Sequence, residues 1–173
     1  DGGLSNAMAY TLHEDIRGNI WVGTEDGGLN LSHEQTGSFT AYKNDPKNPK
    51  SISNNRINVI YEDKQGNFWV GTHAGLNLFN QKTQTFTAFG VKEGLPTELI
   101  LEILEDDKRN LWISTTKGLS KFNISTRTFR NYGISDGLQG NSFNRRAGFK
   151  NKNGPMFFGG QNGYNVFHPD RLK

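Results

Sequence analysis

Three pairs of neighbouring acids, Glu14-Asp15, Glu62-Asp63 and Glu105-Asp106, are the residues here whose type and spacing first suggest chemistry. Two carboxylates at close quarters can serve as general acid and general base, or as acid and nucleophile, in glycoside hydrolysis. Each pair, however, stands at the same place in a repeated segment. A catalytic pair is needed once, whereas a turn-forming Asp is needed in every repeat, and Asp bonding its own backbone explains all three. The Asp-x-x-Gly-Asn loops that follow offer one or two carboxylates each, too few for the six to eight oxygens calcium takes. His13, His33, His73 and His168 lack metal-ligand spacing. Neither a nucleophile elbow around Ser nor a Gly-x-x-x-x-Gly-Lys phosphate loop occurs. With no Cys in the chain, thiolate zinc sites, disulfides and cysteine catalysis are excluded. No catalytic residue, metal ligand or cofactor is assigned, and this stretch of chain is expected to perform no reaction.

The elements that carry these residues repeat. Gly18-Asn19-Ile20-Trp21-Val22-Gly23-Thr24 returns as Gly66-Asn67-Phe68-Trp69-Val70-Gly71-Thr72, then as Arg109-Asn110-Leu111-Trp112-Ile113-Ser114-Thr115, and in worn form as Gly154-Pro155-Met156-Phe157-Phe158-Gly159-Gly160. The anchors at 21, 69, 112 and 157 are 48, 43 and 45 residues apart. Short apolar runs recurring at a period in the forties, between Gly-rich turns, mark propeller blades. Within the second copy, alternation over 58–62, 68–72, 76–79 and 85–89 predicts four antiparallel strands joined by tight turns. The expected fold is all-β, with about four blades of four-stranded antiparallel sheet at 4–46, 52–93, 94–136 and 137–169. The last blade is predicted to lack its outer strand. Trp21, Trp69 and Trp112, central in a strand of each blade, are expected to pack between blades rather than to stack on sugars.

If an open arc of blades exposed on the order of 500 Å² of apolar surface at each end, that would cost about 12 kcal/mol per face. A typical domain has only about 5–15 kcal/mol of stability. The arc is therefore expected to close as a small ring, to pair as a homodimer, or to join other blades of the same protein in a larger ring. A net charge of +3, with basic residues scattered rather than gathered on one face, argues against nucleic acid as a partner. No apolar stretch approaches the roughly 20 residues of a membrane span, so membrane contact is expected only through other segments.

What differs between copies is where a ligand is expected, because binding on a rigid repeat frame falls to its variable loops. Connections from a fourth strand to the next first strand emerge on the same rim as second-to-third connections. That rim gathers Arg56, His73, Glu98, Lys117, Asn141, Asn144, Arg145, Arg146 and Gln161 as candidate ligand-binding residues. Asn54, Asn55, Thr97 and Asn162 share it. The mixture of amides, cations and a carboxylate suits hydroxyl-rich or acidic ligands. Arg145-Arg146 is the sharpest element, since a guanidinium holds a carboxylate or sulfate bidentately.

The Gly-Leu-Ser-Asn run at 3–6, Ser51-Ile52-Ser53-Asn54-Asn55-Arg56, the Glu-Asp-x-x-Gly-Asn-x-Trp-x-Gly-Thr core and the loop Asn44-Asp45-Pro46-Lys47-Asn48-Pro49 resemble the two-component regulator propeller repeats of bacterial sensors. Those of the hybrid two-component systems of Bacteroides-type bacteria are the nearest in kind. The stretch 137–145, with Phe158-Gly159-Gly160-Gln161-Asn162-Gly163 and Phe167-His168-Pro169, is similar to that family's last blade. Arg109 and Ser114 depart from the Gly usual at both positions. The resemblance implies a periplasmic sensor portion that binds an oligosaccharide or similar ligand. A β-sandwich, a membrane helix and a histidine kinase would follow, controlling carbohydrate-utilisation genes by phosphorelay. Two other readings stay open on the residues alone: a propeller glycosidase or lyase, for which Glu98 and Glu102 are the only acids considered, and a protein–protein scaffold.

Overall fold

A computed structural model describes residues 2–172. The fold is all-β, with sheets of the β-propeller blade type. Strands β1 (Ala9–Glu14), β2 (Ile20–Thr24), β3 (Leu29–His33) and β4 (Ser38–Tyr42) form the first sheet in chain order. β5 (Ile57–Glu62), β6 (Phe68–Thr72), β7 (Gly75–Asn80) and β8 (Thr85–Phe89) form the second. β9 (Ile100–Glu105), β10 (Asn110–Thr115), β11 (Gly118–Asn123) and β12 (Thr128–Tyr132) form the third. The fourth has three strands among the described residues: β13 (Phe143–Lys150), β14 (Met156–Gly160) and β15 (Gly163–Phe167). The chain divides into two compact units, one ending at Ala88 and one beginning at Phe89.

In the first unit the second blade covers the Trp21 face of the first. The Trp21 ring lies 4.9 Å from that of Phe68 and 5.5 Å from that of Phe79. Leu29, Ile57, Ile60 and Phe86 complete the buried cluster. In the second unit Trp112 takes the same role, stacked on Tyr132 and 4.8 Å from Phe167, over buried Met156 and Phe158. Aromatic pairs of this kind contribute roughly 0.5–1.5 kcal/mol each beyond their burial. Trp21 and Trp112 therefore each belong to a blade-to-blade core.

The acids paired with these tryptophans are structural. Asp15 Oδ2 accepts the Trp21 indole N–H at 2.9 Å, Asp63 Oδ2 that of Trp69 at 2.8 Å, and Asp106 Oδ2 that of Trp112 at 2.9 Å. The other oxygen of each accepts the backbone N–H groups two and four residues on, as in Arg17 and Asn19, Gln65 and Asn67, or Lys108 and Asn110. One carboxylate thus fastens a tight turn to a buried ring. Burial pushes the Asp15 carboxyl up, but hydrogen bonds from Trp21, from the Asn19 side chain and backbone, and from Arg17 outweigh it and leave the group below its ordinary value.

Close packing also explains the Gly after Trp21-Val22. A Cβ on Gly23 would stand 2.5 Å from Cγ2 of Ile57 on the next blade and 2.6 Å from Cγ2 of Thr11. The third blade carries Ser114 there, opposite Glu102. Its neighbour yields the space instead, because a Cβ on Gly148 would meet Glu102 Cγ at 2.4 Å.

Candidate ligand-binding rim

The rim is built where linkers between blades meet the second-to-third turns, and backbone bonds join the two. In the first unit Gly28 N–H donates to the Asn55 carbonyl at 2.9 Å, and His73 N–H to the Arg56 carbonyl at 3.2 Å. Asn54 and Asn55 shape the linker: their side-chain oxygens accept the backbone N–H groups of Arg56 at 2.8 Å and Asn44 at 2.7 Å. Both amides are thus spent on turn geometry. Arg56 and His73 come together as the sequence predicts, but Arg56 is already engaged. Its guanidinium donates to the Glu25 carbonyl and carboxylate, each at 3.2 Å. Glu25 was not among the sequence candidates. Its place in the second-to-third turn of the preceding blade was the available signal.

In the second unit Gly118 N–H donates to the Asn141 carbonyl at 2.6 Å, and Gln161 N–H to that of Ser142 at 3.3 Å. Lys117, Asn141 and Gln161 therefore stand on adjoining loops. Asn141 Oδ1 also accepts Ile134 N–H at 3.2 Å, and the Asn162 N–H donates to Gln139 Oε1 at 3.1 Å. Two linkers contain short 3₁₀ turns that the alternation did not reveal, Val91–Glu93 and Ile134–Asp136. Each is closed by an acid on the preceding Gly N–H, Glu93 on Gly90 at 2.6 Å and Asp136 on Gly133 at 2.8 Å. Glu98 is exposed on its own linker, folded back toward Gly90.

Asn144, Arg145 and Arg146 are exposed for a reason peculiar to the fourth blade. In the other blades the innermost strand carries one surplus residue against its partner, as between Ala9 and Thr11 or between Ile57 and Val59. In β13 the pairing passes from Phe143–Gly160 directly to Gly148–Phe158, so four residues bulge against one. Arg146 turns this bulge in the left-handed conformation at φ 55°. A bulge of this type re-aims side chains away from the ladder. It presents two consecutive guanidinium groups at the inner strand.

Beside it lies Glu102, half-buried on β9 where the first two blades hold Thr11 and Val59. Burial raises its carboxyl above the ordinary value, against hydrogen bonds from the backbone of Ile103 and Gly148 and the positive charge of Arg146. A carboxylate where the first two blades hold Thr and Val was the cue that could have moved Glu102 from a possible glycosidase acid to the rim set. The open hollows of the first unit lie on the opposite rim. One of about 310 Å³ is lined by Ile16, Arg17, Glu62 and Phe68, and one of about 560 Å³ by Asn19, His33 and Gln35. In the second unit a smaller hollow of about 160 Å³ is lined by Asp136, Gly137 and Leu138 of the linker together with Trp112 and Tyr132.

Residues 3–26 and 51–74 match the family described as two component regulator propeller. The chain carries two-component regulator propeller repeats. Over 98% of its length the chain superposes on an extracellular domain assigned to the hybrid two component system BT3049 from B. thetaiotaomicron, with a TM-score of 0.85 and 30% identity. A second such domain, of BT4673 from the same organism, gives 0.82 and 23% over 98% of the chain. The chain spans 23% and 24% of the lengths of these two extracellular domains. Virginiamycin B lyase from Staphylococcus aureus shares the fold over 97% of the chain and 58% of its own, at a TM-score of 0.69 and 11% identity. No curated protein matches the chain. The propeller repeats at 3–26 and 51–74 include Asp15–Trp21 and Asp63–Trp69, the same pairs that fasten the first two blades.

Proposed function

We propose that these repeats form part of the extracytoplasmic, periplasm-facing sensor of a two-component system, and that their linker rim binds a saccharide-type ligand. The observation that carries this reading is the pairing of the regulator propeller repeats with 30% identity across nearly the whole chain to a hybrid two-component extracellular domain. In this reading Arg145 and Arg146 hold an acidic group of the ligand, while Asn141, Asn144 and Gln161 meet hydroxyls. Lys117 and Glu98 border that surface, and Arg56 with His73 provide a second contact in the first unit. A histidine kinase elsewhere in the protein would convert binding into phosphorelay and expression of carbohydrate-utilisation genes. The ligand acts only through its differential affinity for two states of the receptor.

Calorimetric titration of the chain with a panel of neutral, uronic and sulfated oligosaccharides tests this. Arg145→Ala combined with Arg146→Ala is expected to weaken binding of an acidic glycan by about tenfold or more, on the scale of a lost charge-assisted contact. Turnover of any glycan during the titration, or saccharide binding indifferent to every rim substitution, would reject the reading.

A further inference from the structure

Three departures from the repeat meet at one place on the inner strands of the third and fourth blades. Where the first two blades set Thr11 against Gly23 and Val59 against Gly71, the third sets Glu102 against Ser114. The fourth blade answers with the 144–147 bulge and with Gly148, whose missing side chain leaves room for the Glu102 methylene. Shared positions keep the shape of a repeat, so residues that break it together mark a task beyond shape.

The Glu102 carboxyl reaches across to the bulge. Ser114 Oγ, its partner position in the ladder and 1% exposed, has no hydrogen-bond partner among the described residues. Glu102 instead accepts the N–H of Ile103, at 3.0 Å, and the N–H of Gly148, the residue at which β13 rejoins the ladder. It thereby fixes the far end of the bulge. Arg146, two residues earlier, turns the bulge and lays its positive charge on the same carboxyl. Ser114 on β10 and Leu104 on β9, the neighbours on its own sheet, are uncharged.

In a half-buried setting, charges interact several times more strongly than in bulk water. Burial already disfavours the ionised form of Glu102, and Arg146 with two backbone donors works against that cost. An anion arriving at the arginines therefore meets a carboxylate that already draws on one of them. Protonation of Glu102 relieves the repulsion, whereas a neutral, hydroxyl-bearing ligand meets none.

We propose that Glu102 is a specificity-determining residue of the linker rim: it anchors the bulge at Gly148 and sets its own negative charge against Arg146, so that an acidic group reaches the arginines only in competition with the protein's carboxylate. The inference rests on the rim reading given above and deepens it. Neutral saccharides are accepted without this penalty, and acidic ones are admitted more readily as the medium turns acidic.

Two variants separate the roles, since Glu102→Gln keeps an acceptor for Gly148 N–H and loses only the charge, whereas Glu102→Ala loses both. Hydrogen exchange of the unliganded chain tests the anchor. The Gly148 amide is expected to exchange about tenfold faster in Glu102→Ala and close to the parent rate in Glu102→Gln. The charge is tested with inorganic sulfate, which stays ionised across the range, titrated by NMR at constant ionic strength. At neutral pH Glu102→Gln is expected to bind sulfate several-fold more tightly than the parent. As pH falls and Glu102 takes up its proton, the parent is expected to gain affinity until the two chains converge, which a purely structural role would not produce. Equal sulfate affinities at neutral pH, sulfate binding to neither chain, or a Gly148 amide indifferent to Glu102→Ala would each overturn the assignment. Sulfate binding of the expected form without binding of any oligosaccharide would leave the assignment standing and reject the saccharide reading alone.

Discussion

The third and fourth blades belong to one compact unit and share one core, yet they hold their first turns differently. In the third, Asp106 binds the Trp112 ring and the N–H groups of Lys108 and Asn110. In the fourth the same turn is closed by backbone bonds, Asn151 N–H to the Pro155 carbonyl at 2.8 Å and Gly154 N–H to the Asn151 carbonyl at 3.0 Å. The Asn151 side chain adds a bond of 3.2 Å from Asn153 N–H. Where tryptophan stands elsewhere, Phe157 is only half-buried. The backbone turn thus forms without the acid. What the acid adds is a rigid tie between turn and core, retained where the tryptophan is covered and lost where its substitute is not.

The sharpest way to break that comparison is to remove the acid from each side. Asp106→Ala is expected to destabilise the chain by roughly 3 kcal/mol in urea titration, because it leaves a buried indole N–H and two turn amides unmet. Asn151→Ala is expected to cost about 1 kcal/mol or less, the worth of an ordinary hydrogen bond. Equal losses would show that the two turns are held alike. A smaller contrast tests the packing that permits each sheet to approach the next. Gly23→Ala places a methyl against Ile57 and is expected to cost about 1–3 kcal/mol in the same titration. Ser114→Ala removes a buried hydroxyl that has no hydrogen-bond partner, and is expected to be neutral or stabilising by up to about 1 kcal/mol.

The smallest expected effect concerns charge. Because the folded-state carboxyl of Glu102 titrates above its ordinary value, its ionisation opposes folding. The penalty is absent when the group is protonated in both states, and grows as pH rises from the ordinary glutamate range through the raised value. Glu102→Gln, which keeps an acceptor for the backbone, is expected to raise the melting temperature at neutral pH and to leave it nearly unchanged in acid. A melting profile parallel to the parent's at all pH values would contradict this. Asp15 has the opposite sign: its depressed carboxyl stabilises the fold above the ordinary aspartate range, and that contribution fades as pH falls through its lowered value.

These contrasts also mark how much of the molecule the sequence could yield. Strand alternation located the sheets, and the recurring Trp marked the first three, because both express burial, and burial is what a periodic pattern records. That the repeated acids were turn-formers followed from their repetition, and the Asp–indole bond supplies the mechanism. The 3₁₀ turns at 91–93 and 134–136 escaped notice because they rest on single acid-to-glycine bonds without periodicity. At the rim, sequence order alone put Lys117, Asn141 and Gln161 on adjoining loops. It could not foresee that Glu25 engages Arg56, since that contact joins residues 31 apart across two blades. Glu102 stands out in the sequence only as a possible glycosidase acid and not as a rim residue, because a lone carboxylate on a strand does not show what it faces. Its meaning appears only once Gly148 is seen to make room for it.

The swollen innermost strand of the last sheet has one more consequence. Because fixed pairings at Phe143–Gly160 and Gly148–Phe158 bracket the surplus, residues 144–147 can change in number and kind without shifting the ladder on either side. Residues 144–146 are exposed, so substitution there disturbs no buried side chain of the core. The bulge is a place where descendants of one scaffold can acquire different tastes while inheriting the same frame.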